Sequence, residues 1–74
     1  MNIPKIIIPS KQVLDSNWNK FLPTPLDKGE KCIVDSEQSG VGKDYVRIKH
    51  GENKIKSIFH IRNFTNIKGE SING

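Results

Sequence analysis

Serines, carboxylates and two histidines are the side chains of this 74-residue chain that could perform acid–base or nucleophilic chemistry. A nucleophilic serine needs a histidine base within hydrogen-bond reach, and that base needs a third group to orient it. His50, expected in a turn, and His60, expected in a strand, show no spacing from a serine and a carboxylate that indicates such a site. We therefore predict no catalytic residues and no enzyme activity. Turnover that vanishes on replacing either histidine would contradict this prediction.

The sequence also lacks the motifs of a metal site and of a phosphate-binding loop. The single cysteine excludes an internal disulfide, and one cysteine with two histidines does not make a structural zinc site. We expect Cys32 to be a small buried side chain in a strand. The run 40–44, GVGKD, resembles a phosphate loop in part, but it lacks the following Ser/Thr and helix. No cofactor and no metal ligand are predicted.

Basic side chains in the second half of the chain indicate an anionic partner. Residues 1–42 carry five lysines against five carboxylates, whereas residues 43–74 carry seven basic against three acidic side chains, so the whole net charge of +4 lies there. Such asymmetry favours nucleic acid as a partner. The alternative is that lysines keep exposed strands soluble and protect sheet edges. The candidate phosphate ligands, with Tyr45 as a stacking surface, are Arg47, Lys49, Lys54, Lys56 and Arg62.

Two aromatic side chains in the first half admit two interpretations. Trp18 and Phe21 would, in the structural interpretation, cover the open end of a small β-barrel as a helical lid. In the functional interpretation they would join Tyr45 as anchors of a protein interface, where Trp, Tyr and Arg contribute most of the binding energy. The sequence leaves both open.

An extended arm and a helix are expected ahead of the strands. Pro4 and Pro9 lack an N–H, so residues 3–9 can form an edge strand at best. Ser10 is a suitable N-cap and Pro23 ends any helix before it, which predicts one helix within residues 11–22. An irregular segment held by Trp18 is the alternative. The predicted apolar stripe of this helix consists of Leu14, Trp18, Phe21 and Leu22.

Alternating apolar and polar residues predict strands in the rest of the chain. Residues 30–35 place Cys32 and Val34 on one side, and residues 44–49 place Val46 and Ile48 on one face. A hairpin connection at residues 50–53, with Gly51 and Asn53 able to take positive φ, leads into residues 54–61. A 3₁₀ turn at residues 62–63 precedes the last strand. Residues 36–42 are expected to form a loop, and residues 69–74 a flexible tail.

Several of these segments resemble parts of an SH3-like barrel and, more loosely, of KOW-type barrels. The segment 26–31, LDKGEK, looks like the turn that leads into the first barrel strand. The segment 45–48, YVRI, the turn 51–53, GEN, and the spacing of Phe59, Phe64 and Ile67 look like the later strands and closing 3₁₀ turn. The resemblance covers residues 26–68. It implies a small five-stranded barrel over that range.

The sequence as a whole predicts a mainly β protein, a small five-stranded SH3-like barrel. Residues 1–25 would form the arm and helical lid, 26–68 the barrel, and 69–74 the tail. Lysine, isoleucine and asparagine, all with A/T-rich codons, fill 28 of 74 positions, which suggests a bacterial, phage or mobile-element source. We expect a cytoplasmic accessory protein that binds and modulates a host protein. Nucleic-acid binding is the alternative, self-association as a homodimer is a further expectation, and no membrane or small-molecule partner is predicted.

Overall fold

A single curled antiparallel sheet forms most of the molecule. The computed structural model describes residues 3–35, 42 and 44–72. The five strands are β1 (Ile6–Pro9), β2 (Cys32–Val34), β3 (Tyr45–His50), β4 (Ile55–His60) and β5 (Phe64–Thr65). Their order is β4-β3-β2-β1-β5, and every pairing is antiparallel. The sheet curls into a half-barrel, which confirms the prediction of a small, mainly β, barrel-like fold. The structure places no helix of membrane-spanning length and apolarity within the described residues.

The hydrophobic core lies on the inner side of the curled sheet. In each strand the residues that face inwards are less exposed than their neighbours, most clearly in β3, where Val46, Ile48 and His50 are buried. Val13 from the first helix and Leu26 from the connector close the core from the concave side. Within the described residues the buried apolar side chains are Ile7, Val13, Leu26, Cys32, Val46, Ile48, Phe59, Ile61 and Phe64.

The β3–β4 hairpin is the most regular part of the sheet. Its six residue pairs run from Tyr45 opposite His60 to His50 opposite Ile55. Gly51 takes the predicted positive φ of 78°, while Lys54 (φ 53°) rather than Asn53 is the second left-handed residue of the connection. The expectation that His50 lies in a turn is wrong, because it is the last residue of β3 and only 2% exposed.

The prediction that the N-terminal arm forms an edge strand is also wrong. β1 lies between β2 and β5, because Ile6 and Ile7 pair with β2 while Ile8 and Pro9 pair with β5. The bond from the Ser10 N–H to the Asn63 oxygen (2.8 Å) shows that Ile8 and Ser10 are the positions bonded towards β5. The nitrogen of Pro9 therefore points away from β5, towards the side where pairing with β2 has ended. The proline removes no ladder hydrogen bond there.

The expected single helix is two separate turns, α1 (Lys11–Leu14) and α2 (Asn17–Lys20). Ser10 caps α1 as predicted, since its Oγ accepts the Val13 N–H at 3.4 Å. Ser16 then takes an extended conformation (ψ 144°) and interrupts the helical repeat. The fully buried residues are Val13 and Asn19. Of the predicted stripe, Leu14 and Leu22 are partly buried against the core, whereas Trp18 and Phe21 are exposed.

Asn19 explains why the second turn has a different orientation from a continuous helix. Its Nδ2 donates to the Leu26 oxygen and its Oδ1 accepts the Leu26 N–H, both at 3.0 Å. This amide fixes α2 to the connector, and the contact decides the path of the chain over local helix propensity.

The C-terminal end keeps close to the sheet. The predicted 3₁₀ turn is present at Ile61–Asn63, directly before β5. Residues 69–72, expected to belong to a tail, fold back instead: Thr65 forms a bridge with Ser71, and Ile72 packs against the core. Asn66 closes the intervening turn by accepting the Lys68 and Glu70 N–H groups at 2.9 Å each.

Candidate functional site

The side of the sheet that faces away from the core, here called the outer face, brings predicted and unpredicted residues together. Residues directly opposite in paired strands share a face, so the register determines which side chains are neighbours. One row runs across the four strands from β1 to β4, the next pairs Arg47 with Ile58, and the last pairs Tyr45 with His60. The members of the first row are Ile6, Ile33, Lys49 and Lys56.

Four side chains of the outer face are apolar or aromatic and strongly exposed. The exposed fractions are 40% for Ile6, 41% for Ile33, 51% for Ile58 and 47% for Tyr45. A single exposed isoleucine is ordinary on a protein surface, but these lie in adjoining rows of one sheet. The three isoleucines are not singled out by the sequence pattern. For Ile33 and Ile58 a signal is present, since each stands in the otherwise polar phase of its strand, whereas Ile6 lies in the all-apolar strand β1, where no alternation marks it.

Three cations accompany these apolar side chains. Arg47, Lys49 and Lys56 share the outer face, so the strands do bring the predicted basic residues together. Asp35, which follows β2, stands beside them: its N–H donates to the Arg47 oxygen (2.9 Å), and its Oδ2 lies 3.6 Å from Lys56 Nζ. The Asp35 side chain is 9% exposed and that of Lys56 60%. The carboxylate is thus largely covered, while the ammonium group of Lys56 still faces solvent.

The other two predicted phosphate ligands lie outside the strand rows. Lys54 is a residue of the hairpin connection, and Arg62 is an exposed residue of the 3₁₀ turn. Neither is placed by strand pairing on the outer face.

Tyr45, the predicted stacking surface, contacts another aromatic ring of the protein. It meets the His60 ring edge-on, with 5.2 Å between centroids. His60 is itself positioned by a hydrogen bond that its Nδ1 accepts from the Arg62 N–H (3.1 Å). Part of the tyrosine ring is therefore in contact with His60, and the rest is exposed at the border of the outer face.

The three predicted interface anchors do not form one cluster. Trp18 stacks on Phe59, whose side chain points to the inner side of β4, with centroids 6.1 Å apart and ring planes inclined by 30°. Tyr45 points to the opposite side of the same hairpin. Phe21 is 85% exposed and Trp18 44%. Phe21 therefore does not cover the barrel, and Trp18 covers one inward-facing ring while leaving almost half its own surface exposed.

A serine and a histidine approach each other inside the half-barrel. Ser57 Oγ lies 2.7 Å from His50 Nε2, but His50 Nδ1 is buried without a hydrogen-bond partner within the described part of the chain. Glu30 does not orient the ring, because its Oε1 and Oε2 accept the N–H groups of Asp27 (3.1 Å) and Gly51 (2.6 Å). Burial lowers the pKa of His50 below its ordinary value, against the opposing charge of Glu30. These contacts support the hairpin, and nothing in them completes a nucleophile–base–carboxylate arrangement.

Cys32 has the properties of a core side chain. It is fully buried, and its Sγ lies 3.8 Å from the Glu30 oxygen. Burial first, and the charge of Glu30 second, raise the pKa of this thiol to about 12. Residues 3–35, 42 and 44–72 contain no group of three or more His, Cys, Asp or Glu side chains that could hold a metal ion. Most of the glycine-containing run at residues 40–44 lies outside the described residues.

Comparisons with protein-family models, with curated proteins and with solved structures found no match for this chain. The candidate site therefore rests on the chemistry of the outer face.

Proposed function

We propose that this chain is a non-catalytic binding module that docks the outer face of its sheet on another protein. The observation that carries the proposal is the mixture on that face of three exposed isoleucines and a tyrosine with three cations. The cations favour a partner whose surface is acidic, and the apolar side chains favour one that also offers apolar contact.

The exposed isoleucines are large enough to matter energetically. Complete burial of one isoleucine side chain contributes about 1.5–3 kcal/mol. Ile6, Ile33 and Ile58 are 40–51% exposed, so covering what remains of each would contribute roughly 1 kcal/mol. Together with Tyr45, this is a substantial part of the binding free energy of a micromolar complex, about 8 kcal/mol, before the cost of association.

Nucleic acid is the second candidate, favoured by the shared face of Arg47, Lys49 and Lys56. The isoleucines make it the weaker one, because a phosphate backbone gains nothing from three apolar side chains, whereas a protein surface does.

In this proposal the chain acts by occupying a surface of its partner. The expected partner remains a host protein, and the expected role that of an accessory protein of a phage or mobile element. The lysine-, isoleucine- and asparagine-rich composition motivates that source. SH3-like ancestry is part of the same proposal, supported by the turn sequence at residues 26–31, in which Gly29 takes a φ of 74°.

The test combines a double variant of the outer face with a chemically matched control. Ile33→Thr with Lys49→Glu changes two directly paired residues of the face. Ile67→Thr with Lys20→Glu makes the same two changes at exposed positions off the face. Immobilised wild type, face variant and control are incubated with host lysate, with and without nuclease.

We expect wild type and control to retain an acidic protein, with and without nuclease treatment. The face variant should not retain it. Retention by the face variant would contradict the proposal. A parallel titration with short DNA and RNA at two salt concentrations tests the second candidate. Binding there that falls steeply with salt and is abolished by the face variant would favour nucleic acid.

A further inference from the structure

β4 ends the sheet on one side, and its backbone shows which groups lie on that edge. The Ile61 N–H donates to the Asp44 oxygen at 2.8 Å, in continuation of the β3–β4 ladder. In an antiparallel pair the bonded positions alternate, so residues 55, 57 and 59 direct their N–H and C=O groups to β3. Lys56, Ile58 and His60 direct theirs away from it. Among the described residues none supplies a backbone partner to these three.

We propose that an extended acidic segment of the partner protein adds to this edge as a sixth, antiparallel strand. The inference rests on the proposed function and deepens it, because it names how the partner engages the outer face. Strand addition to an exposed edge obtains affinity from main-chain hydrogen bonds and specificity from alternate side chains. Each of the three edge residues can exchange two backbone hydrogen bonds with the residue opposite.

The side chains of the edge specify the added segment. Residues of the new strand opposite Lys56, Ile58 and His60 would lie on the outer face, since directly opposite residues share a face. Lys56, with its side chain 60% exposed, favours a carboxylate opposite it. Ile58, 51% exposed, favours an apolar side chain. The segment therefore has an acidic residue two positions after an apolar one.

The intervening residues of the added strand would point to the inner side of the sheet. There they would lie beside Phe59 and the exposed part of the Trp18 ring that stacks on it. This gives Trp18 a place in the interface that is separate from Tyr45. Because Trp18 is the only tryptophan of the chain, its fluorescence reports the addition directly.

A second copy of the chain is the less suitable occupant. Each copy carries a net charge of +4, all of it from residues 43–74. Edge-to-edge pairing would bring two sets of outer-face cations together, and a lysine on an edge strand is a common protection against such pairing. An acidic segment would instead be attracted by the outer-face cations.

The experiment compares two substitutions at one edge position. The Ile58 N–H faces away from β3, so Ile58→Pro removes an edge donor without removing a ladder bond. Ile58→Ala, the matched control, shortens the side chain and keeps that donor. Peptides of twelve residues are selected from a random library on the wild-type chain, and their affinities for all variants are measured by Trp18 fluorescence. Circular dichroism verifies the fold of each variant.

We expect selected peptides to carry the acidic residue two positions after an apolar one and to bind Ile58→Pro at least tenfold more weakly than Ile58→Ala. Selection on Lys56→Glu should replace the acidic residue by a basic one. If Ile58→Pro does not fold, N-methylated versions of the selected peptides test the added strand instead. N-methylation of residues that face the edge should abolish binding, while N-methylation of the alternate residues should not.

Three outcomes would overturn the proposal. The first is equal binding to Ile58→Pro and Ile58→Ala, which leaves side-chain docking on the outer face intact and removes only the added strand. The second is a library that yields no peptide with the expected pattern. The third is a wild-type dimer in sedimentation that Ile58→Pro abolishes, which would assign the edge to a second copy. The Ile33→Thr, Lys49→Glu variant tests the proposed function independently of all three.

Discussion

Asn19 is the residue whose replacement tests the account of the fold most directly. It is 4% exposed, and its amide forms two hydrogen bonds of 3.0 Å to the backbone of Leu26, which is itself 2% exposed. Asn19→Ala would leave the N–H and C=O of Leu26 buried without partners. Asn19→Asp would keep the acceptor but place an oxygen where the Nδ2 donor meets the Leu26 oxygen.

The cost of Asn19→Ala follows from those two orphaned groups. A buried donor or acceptor left without a partner costs about 1–3 kcal/mol, so the pair costs roughly 2–6 kcal/mol. A domain of this size has a free energy of unfolding near the low end of the ~5–15 kcal/mol range. We expect the substitution to remove at least about 2 kcal/mol, which corresponds to a fall in Tm of roughly 10 °C.

Urea and thermal unfolding followed by Trp18 fluorescence and circular dichroism measure this cost. The matched control is Asn17→Ala, an exposed position of the same helical turn, for which a change within about 0.5 kcal/mol is expected. Asn19→Asp should destabilise about as much as Asn19→Ala. If Asn19→Ala costs no more than Asn17→Ala, the amide bridge does not fix α2, and our explanation of the broken helix is wrong.

Two further predictions concern the hairpin and its surroundings. Burial lowers the pKa of His50 below 6.5, so the folded state binds this proton less readily than the unfolded state. The free energy of unfolding should therefore be highest above about pH 6.5 and should decrease as the pH falls below it. Urea midpoints should show His50→Gln removing that fall and His60→Gln keeping it; equal loss in both variants would refute the assignment. At Gly51 (φ 78°) an added Cβ would lie 2.5 Å from Thr24 Cγ2, whereas at Gly29 (φ 74°) it would meet open space. Gly51→Ala should therefore destabilise more than Gly29→Ala, whose cost is about 1–2 kcal/mol, and adding Thr24→Ser should remove the difference; no such rescue would mean that Thr24 is not the obstacle.

The elements that the sequence predicted well are those determined by local alternation. In β3 the apolar and polar residues alternate from Val46 to Lys49, and a positive-φ glycine lies between this strand and β4. The inner and outer assignments of Val46, Ile48, Arg47 and Lys49 therefore follow from a period of two. The 3₁₀ turn was equally visible, because Arg62 and Asn63 interrupt that period.

Other elements depended on contacts between distant residues. The break between α1 and α2 reflects the bridge from Asn19 to Leu26, which a helical periodicity does not contain. The central place of β1 depends on which side of the strand the Pro9 nitrogen faces, and only the pairing with β5 decides that. The outer-face cluster depends on register across four strands. Sequence alone shows exposed-phase isoleucines one at a time, without showing that they are neighbours.

Strand propensity alone explains the isoleucines of the outer face incompletely. A β-branched side chain favours a strand, but threonine meets that need as well and stays hydrated. The core is formed by side chains on the other side of the sheet, so the exposed area of Ile33 and Ile58 contributes no burial to the isolated chain. Their opposite residues are Lys49 and Arg47, whose charged ends hydrate the same rows. The arrangement keeps this face hydrated, and it leaves apolar area that the described residues do not cover.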